Sequence, residues 1–259
     1  MDASGQHAVI TGGGSGIGLA TARLFRALGA QVTIIDFSDG AEGAAAEIGA
    51  AFRRADVTDE EAIEALAEEL EERTPPTILV TCAGVLQRML RPEDLGWREW
   101  DRMIAVHLRG TYACCRSFGG RMARRRRGAI VTISSVAGIG TGPLHGYGPA
   151  KAAIAHLSKG LAAEWGPAGV RVNSVAPGFT QTPALALGVS AGALDIERLK
   201  KSTALGRLVD PEDIAAAVAF LSGPGSASIT GVVLPVDAGY LIAGDWEVYG
   251  GLRPPAGDD

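Results

Sequence analysis

Short apolar runs alternate with longer amphipathic segments along the whole chain. The runs are rich in Val and Ile, and they cover residues 7–10, 31–35, 52–57, 77–80, 129–133, 169–176 and 231–236. Between the runs, apolar residues recur at helical spacing, as at Leu24, Phe25 and Leu28. Strands that alternate with helices predict a parallel sheet with helices on both faces. We therefore expect a single α/β domain over residues 1–259, built on a doubly wound parallel sheet of seven strands.

Three further segments are distinguished by their pattern. A long helical pattern covers residues 97–122, and we expect Gly110 and the adjacent glycines 119–120 to interrupt it. Residues 183–205 are rich in Ala, Leu and Gly without sheet periodicity, which favours a mobile helical lid. The tail over residues 240–259 is rich in Gly and Pro.

Composition limits the classes of protein to which the chain can belong. Of its residues, 47% are hydrophobic but only 5% aromatic, which indicates a core of Ala, Val, Leu and Ile. No apolar run approaches the roughly 18 residues of a membrane span, and the first residues lack the basic and apolar parts of a signal peptide. Cys82, Cys114 and Cys115 lack the spacing of metal ligands, so we expect reduced thiols, no metal and a soluble cytoplasmic protein.

The charge pattern bears on a nucleic-acid partner. The net charge is −5, yet four arginines stand together at residues 124–127. This run has two interpretations: a nucleic-acid or phosphate site, or the positive end of a helix, which the helix dipole favours. No aromatic residues interleave the run, as a single-stranded nucleic-acid site would require. We therefore favour the helix end and expect no nucleic-acid partner.

A glycine-rich turn follows the first apolar run and precedes a helical pattern. It reads Thr11-Gly12-Gly13-Gly14-Ser15-Gly16-Ile17-Gly18. Glycines in such a turn let the backbone approach a pyrophosphate, and the free N–H groups at the helix start attract the anion. The alternative is a plain tight turn between a strand and a helix. The flanking pattern favours a dinucleotide site.

The second strand ends in an acidic residue, Asp36. A carboxylate at this place accepts hydrogen bonds from an adenosine ribose and repels a 2′-phosphate. Phe37, rather than an arginine, follows it, so the sequence favours NAD over NADP unless Arg53 or Arg54 reaches round to this position. The alternative is a solvated aspartate at the end of a strand.

Tyr147 and Lys151 are spaced so that both side chains lie on one face of a helix. A nearby ammonium favours the phenolate, so we expect Lys151 to lower the pKa of Tyr147 from its usual value of about 10. The phenol would then donate or accept a proton near neutral pH. Ser134 and Ser135 stand shortly before this pair.

In this order and spacing, the motifs make the chain resemble the short-chain dehydrogenase/reductase family over residues 5–240. The motifs are Thr11-Gly12-x-x-x-Gly16-Ile17-Gly18, Asp56-Val57, Ala83-Gly84, Ser135 with Tyr147-x-x-x-Lys151, Arg171-Val172-Asn173-x-Val175-x-Pro177-Gly178 and Val236-Asp237-Ala238-Gly239. The resemblance implies a Rossmann-type fold and an NAD-dependent hydride transfer between a secondary alcohol and a ketone. It also implies a homotetramer that packs through the helices around residues 100–125 and 150–165.

The resemblance assigns the chemistry to a few side chains. Tyr147 would take the proton from the alcohol or return it, and Ser135 would orient the same oxygen. Lys151 would hold the hydroxyls of the nicotinamide ribose and lower the pKa of the tyrosine.

The resemblance also implies a set of cofactor contacts. The set is Gly12, Ser15, Gly16, Ile17, Gly18, Asp36, Asp56, Val57, Cys82, Ala83, Gly84, Tyr147, Lys151, Pro177, Gly178, Thr180 and Thr182. Within it, Asp56 and Val57 would contact the adenine. The backbone of Thr180 and the side chain of Thr182 would hold the carboxamide.

Three positions depart from the family pattern. Thr81 and Cys82 stand where the family has two asparagines, which makes Cys82 a small buried residue near the cofactor rather than a nucleophile. His107, which we keep among the catalytic candidates, stands where an asparagine holds a water in a proton path. A histidine titrates in the useful range and could keep that path, break it, or be purely structural. The family motif selects Ser135 as the catalytic serine, whereas counting back from the tyrosine selects Ser134.

Two alternatives to an NAD-dependent alcohol dehydrogenase stay open. One is an NADP-dependent ketoreductase of acyl chains or biosynthetic intermediates, which would need a 2′-phosphate site. The other is a non-catalytic dinucleotide-binding sensor, which the altered His107 and Cys82 positions suggest. The lid supplies Leu185, Leu187, Val189 and Leu194, a composition that favours a largely uncharged small-molecule substrate.

Overall fold

The seven predicted strands are present and form one parallel sheet. They are β1 (His7–Thr11), β2 (Gln31–Asp36), β3 (Ala51–Arg54), β4 (Ile78–Thr81), β5 (Gly128–Ile133), β6 (Val170–Pro177) and β7 (Val233–Val236). The structure is a computed structural model that describes residues 2–253, so the end of the predicted tail, residues 254–259, lies outside the described residues. The strand order is β3-β2-β1-β4-β5-β6-β7. The strands from β1 to β3 are thus added toward one edge of the sheet and those from β4 to β7 toward the other. This reversal of strand order between β1 and β4 opens a crevice at the carboxyl ends of the strands.

Two strands are shorter than the sequence predicts. β3 ends at Arg54, so Asp56 and Val57 lie in the following loop. The Asp56 carboxylate accepts a hydrogen bond from the Thr58 N–H at 2.9 Å, which forms a turn that takes the chain out of the sheet. β7 begins at Val233 rather than at residue 231, because the preceding N–H group donates to the side chain of Asn173 instead of to a strand.

Helices cover both faces of the sheet. They are α1 (Gly16–Ala27), α2 (Ala41–Glu47), α3 (Glu60–Arg73), α4 (Trp97–Met103), α5 (Gly110–Cys114), α6 (Gly120–Arg125), α7 (Tyr147–Trp165), α8 (Pro183–Ser190), α9 (Ile196–Lys201), α10 (Pro211–Ser222) and α11 (Tyr240–Ala243). One apolar cluster joins the sheet to α1 and α10, and a second joins it to α3 and α7. In the described part of the chain, no helix combines the length and the apolarity that crossing a membrane requires.

The predicted interruption of the long helical pattern is wrong. Residues 97–125 are helical throughout, because wider π-helical turns, Ile104–Arg109 and Cys115–Gly119, connect α4, α5 and α6 into one long helix. Its glycines permit close packing instead of breaking the helix. A Cβ atom on Gly110 would lie 2.7 Å from the side chain of Val57. One on Gly119 would lie 2.9 Å from the side chain of Ile130.

The arginine run at residues 124–127 ends this long helix, as the sequence analysis favours. Arg126 adopts a left-handed conformation with φ 56° just after α6, and its guanidinium donates to the Pro167 carbonyl at 3.2 Å. Arg125 forms an ion pair with Glu71. These arginines therefore fasten the helix end to neighbouring elements.

Candidate active site

The glycine-rich turn connects β1 to α1 at the crevice. Gly12 has φ +65°, and a Cβ atom there would lie 2.6 Å from the Cα atom of Ala83, so no other residue fits. A Cβ atom on Gly18 would collide with the carbonyl of Gly12. Ser15 caps α1 with extended backbone, and its side chain makes no cap hydrogen bond. The helix N-terminus is thereby left free for an anion, and Gly16 and Ile17 form its first turn.

The Asp36 carboxylate is fixed beside this turn. One oxygen accepts the Gly14 N–H at 2.9 Å, and the other accepts the Ser38 N–H at 3.0 Å and its hydroxyl at 2.8 Å. Arg54 reaches the same end of the sheet, where it donates to the Phe37 carbonyl at 2.9 Å. Its guanidinium also forms an ion pair with the Asp39 carboxylate at 3.3 Å.

The segment after β4 closes one side of the crevice. The N–H groups of Cys82 and Ala83 donate to the Thr11 hydroxyl at 3.2 and 3.3 Å. Burial raises the pKa of the Cys82 thiol to about 11, so this group is not a thiolate nucleophile at neutral pH. Gly84 lies against the ring of His107, which leaves no room for a side chain there. Farther along the crevice, the side chain of Val57 is buried and Asp56 is exposed.

The segment after β6 joins the lid to the glycine turn. Pro177 ends the strand, and the Gly178 N–H donates to the Val236 carbonyl at 3.0 Å. Thr180 is buried and donates to the carbonyl of Gly178 at 3.0 Å. Thr182 caps α8, and its methyl group lies 3.2 Å from the place of a Cβ atom on Gly16. The predicted lid is helical, as α8 and α9. Because Thr182 caps α8, the start of the lid lies at the glycine-rich turn.

Tyr147, Lys151 and Ser135 meet at the start of α7. Tyr147 is the first residue of the helix, and Lys151 follows one turn later with its Nζ 5.5 Å from the centre of the phenol ring. The ammonium donates to the Ile133 carbonyl at 2.7 Å. The Ser135 hydroxyl accepts the Ala137 N–H at 3.1 Å and lies close enough to the phenol to influence its pKa. Ser134 instead donates to the Val175 carbonyl at 3.1 Å, so the structure brings Ser135 to the tyrosine.

The prediction that Lys151 lowers the pKa of Tyr147 is wrong for the chain without a cofactor. Burial raises the pKa of the phenol, and this outweighs the opposite effect of the nearby Ser135 hydroxyl. Burial also lowers the pKa of Lys151 to about 8. A dry site disfavours both charged forms, and the ammonium is 5.5 Å from the ring centre rather than in contact with the phenol oxygen. The residues therefore hold Tyr147 as a neutral acid.

The ring of His107 contacts the phenol ring of Tyr147. Contrary to the expectation from sequence, its pKa lies well below the neutral range. The residue is 2% exposed, and its ring packs edge-on against Tyr147 with the centres 5.0 Å apart. Its Nε2 lies 2.9 Å from the Val85 carbonyl and 3.3 Å from the Val85 N–H, so the tautomer determines which of the two backbone groups it binds. Burial, and secondly the charge of Lys151, lowers the pKa of the imidazole to about 3. Its Nδ1 atom is buried without a hydrogen-bond partner among the described residues.

One residue at this site is absent from the sequence analysis. Gln87 is buried, and its side-chain oxygen accepts the N–H groups of Gly146 and Tyr147 at 2.9 and 2.7 Å. The sequence carries no signal for it, because a single glutamine between Leu86 and Arg88 matches neither a motif nor a periodicity. Only the fold brings it to the helix start.

Comparisons with known proteins find relatives along nearly the whole chain. A family model described as enoyl-(acyl carrier protein) reductase matches residues 12–241. Galactitol 2-dehydrogenase of Rhizobium johnstonii is 39% identical over 245 residues, which are 91% of this chain and 95% of the relative. NAD-dependent glycerol dehydrogenase of Listeria innocua is 35% identical over 91% of this chain and 93% of the relative.

Solved structures resemble the chain equally closely. One, described as ribose-5-phosphate isomerase from Brucella melitensis 16M, has a TM-score of 0.96 and 51% identity, with 98% of this chain and 99% of that one covered. Another, described as a short chain dehydrogenase/reductase family protein, has a TM-score of 0.83 and 36% identity, with 93% of this chain and 99% of that one covered.

Because its imidazole stays neutral, His107 is expected to weaken the fold as the pH falls. Between the usual histidine pKa of about 6.5 and the lowered value of about 3, the unfolded chain binds a proton that the folded chain refuses. Stability is then lost with falling pH, by about 2–3 kcal/mol between pH 7 and pH 4.5. We expect His107→Asn to remove this loss, measured as the free energy of unfolding in urea at both pH values.

The half-buried His145, which lies outside the helices proposed for the tetramer contacts, provides the matched control for this measurement. His145→Asn should keep the acid sensitivity of the wild type. The same loss of stability in wild type and His107→Asn would contradict a buried, neutral imidazole.

Proposed function

The chain belongs to the short-chain dehydrogenase/reductase family, and from this premise we propose that it is an NAD-dependent dehydrogenase of polyols or related secondary alcohols. Relatives that match along its length are alcohol and polyol dehydrogenases, and members of the family bind NAD or NADP. The observation that carries the proposal is the meeting of Tyr147, Ser135 and Lys151 beside a glycine turn that excludes side chains.

The proposed chemistry divides between the cofactor and the chain. Bound NAD would accept the hydride from the carbinol carbon, or NADH would return it to a ketone. Tyr147 takes the hydroxyl proton during oxidation and donates it during reduction, and Ser135 holds the same oxygen by a hydrogen bond. As a neutral acid, Tyr147 is ready to donate. Oxidation requires the phenolate, which Lys151 favours once it is charged.

The cofactor contacts follow from the positions of the described residues. The N-terminus of α1 at Gly16 would hold the pyrophosphate. Asp36 would accept the hydroxyls of the adenosine ribose, and Lys151 those of the nicotinamide ribose. Thr182 lies at the glycine turn and so within reach of the carboxamide end of a dinucleotide in the crevice.

An uncharged, hydroxylated substrate suits the surroundings of Tyr147. The imidazole of His107 is neutral, Ser135 and Gln87 are uncharged, and the ammonium of Lys151 is held by a carbonyl. The relatives named for galactitol and glycerol act on molecules of this kind, and this similarity supports the same substrate class here.

The isomerase activity in the description of one solved structure is not what we propose for this chain. An isomerase moves a hydrogen within its substrate without net oxidation, and this reaction does not use a dinucleotide. The glycine turn, by contrast, has no room for a Cβ atom on Gly12 or Gly18, as expected for a backbone that must approach a dinucleotide closely. A non-catalytic sensor also fits less well, because it would not need Ser135 beside the phenol.

We also propose a homotetramer that packs through the long helix and α7. The outer face of α7 presents the small residues Ala152, Gly160 and Ala163, which permit close approach of another helix. Light scattering should give about four times the 26.6 kDa mass of one chain. The mass of a single chain would contradict this assembly.

Asp36 is expected to determine the choice of cofactor. The change Asp36→Asn keeps one of the two acceptor oxygens and removes the charge that repels a 2′-phosphate. We expect the preference for NADH over NADPH to fall about 10- to 100-fold, mainly through tighter NADPH binding, since a like-charge contact costs several kcal/mol. Fluorescence titration of both reduced cofactors measures the two dissociation constants.

Arg54 provides the second variant for this choice, because it pairs with Asp36 in the sheet register and is one of the two arginines that an NADP-dependent enzyme could use. Arg54→Gln should leave the preference for NADH unchanged. Equal affinity of the wild type for both cofactors, together with loss of NADPH binding in Arg54→Gln, would support the NADP-dependent alternative instead.

Tyr147→Phe tests the reaction itself. Loss of the phenol proton should lower kcat by about 100- to 10,000-fold, whereas the dissociation constant for NADH should change little. NAD reduction is followed with a panel of secondary alcohols, polyols and cyclic diols. Tyr112→Phe changes an exposed tyrosine of the long helix and should keep full activity. Undiminished turnover in Tyr147→Phe would refute the assignment.

A further inference from the structure

The start of α7 takes its cap from a distant part of the chain. A helix leaves its first N–H groups without partners inside the helix. Gly146 occupies the cap position and has no side chain to offer. The N–H groups of Gly146 and Tyr147 both donate to Gln87, 59 and 60 residues away in sequence. The Gly148 N–H donates to the Leu144 carbonyl at 2.8 Å, and Pro149 has no N–H. Gln87 is thus the acceptor on which the first helical residue depends.

The geometry fixes the orientation of the Gln87 amide. Two backbone donors converge on one side-chain atom at 2.9 and 2.7 Å, and only the oxygen of the amide accepts hydrogen bonds. A Cβ atom on Gly146 would lie 3.2 Å from this oxygen and 3.3 Å from the Met103 side chain. The glycine at the cap position therefore leaves the space that the glutamine oxygen occupies.

Neighbouring residues hold Gln87 in place. The His107 Nε2 atom lies 2.9 Å from the Val85 carbonyl and 3.3 Å from the Val85 N–H. The backbone N–H of Arg88 donates to Glu99 at 2.8 Å, and its guanidinium binds the same carboxylate at 3.0 and 2.7 Å. The backbone on both sides of Gln87 is therefore tied to the long helix, which fixes the point from which the side chain reaches α7.

Tyr147 and Lys151 are anchored independently. Lys151 lies in the second turn of α7 and binds the Ile133 carbonyl of β5 at 2.7 Å. Tyr147 lies in the first turn, and its backbone N–H donates to the side-chain oxygen of Gln87. Loss of the cap would release the first turn and not the second. The distance between the phenol and the ammonium, and the contact with Ser135, would change.

We propose that Gln87 is a positioning residue that fixes Tyr147 relative to Lys151 and Ser135 by capping α7 from outside the helix. The inference rests on the proposed function, in which Tyr147 transfers the proton. A displacement of about 1 Å in such a group is sufficient for a loss of about 100-fold in rate.

The variant Gln87→Met tests this role, since methionine has a similar size but accepts no such hydrogen bonds. We expect kcat to fall about 10- to 100-fold with saturating NAD and alcohol, while the dissociation constant for NADH stays within about twofold, because Gln87 has no part in the glycine turn. Hydrogen–deuterium exchange of the peptide containing residues 145–148 should accelerate, and exchange around residue 151 should not.

Gln87→Glu provides the rescue. A carboxylate accepts the same two N–H groups and suits the positive end of a helix. Most of the lost kcat should return at alkaline pH. Its pH profile should shift to higher pH, because a nearby negative charge raises the pKa of the Tyr147 phenol.

Asp59→Ala is the matched control for a lost cap. Asp59 caps α3, which carries no candidate catalytic residue, by accepting the Ala62 N–H at 3.0 Å. This variant should lose stability but keep its kcat. If it loses kcat as Gln87→Met does, the effect is general loosening and the proposal fails.

Two further results would overturn the proposal. One is unchanged exchange at residues 145–148 in Gln87→Met, and the other is accelerated exchange with the kcat of the wild type. Inactivity of the wild type itself would instead refute the proposed function. The exchange data would then still show whether Gln87 caps the helix, so the two failures are distinguishable.

Discussion

The burial of Lys151 is the constraint on which the site depends. An ammonium that is 6% exposed requires a partner, and the Ile133 carbonyl at the end of β5 provides one. This bond ties α7 to the carboxyl edge of the sheet, where the crevice opens. Tyr147, one turn earlier on the same face, is thereby brought to the mouth of that crevice. The same low dielectric keeps the phenol and the imidazole of His107 neutral.

The reversal of strand order between β1 and β4 determines which segments lie opposite Tyr147 and Lys151 in the crevice. It places the glycine turn and Asp36 on one side of the crevice and the segment after β4 on the other. That segment supports the cofactor side through Cys82 and Ala83 and the catalytic side through Gln87. The six consecutive residues 82–87 thus connect the two halves of the proposed site.

The sequence predicts those parts of the molecule that repeat a local pattern. The strands, the glycine turn and the helix of Tyr147 all have a periodicity or a residue type that one segment is sufficient to define. The π-helical turns and the continuity of the long helix depend on contacts between segments, as between Gly110 and Val57. The pKa of His107 and the cap from Gln87 depend on burial, which no local pattern reports.

The central claim is a hydride transfer from a secondary carbinol carbon to a nicotinamide, and isotope labelling tests it most directly. Wild-type protein is incubated with NAD and polyols, galactitol and glycerol among them, that carry deuterium on their secondary carbinol carbons. A dehydrogenase reaction predicts reduced nicotinamide that contains the deuterium, detected by mass spectrometry. Turnover that leaves NAD oxidised and unlabelled, with isomerised sugar phosphate as the product when ribose 5-phosphate is supplied, would contradict it.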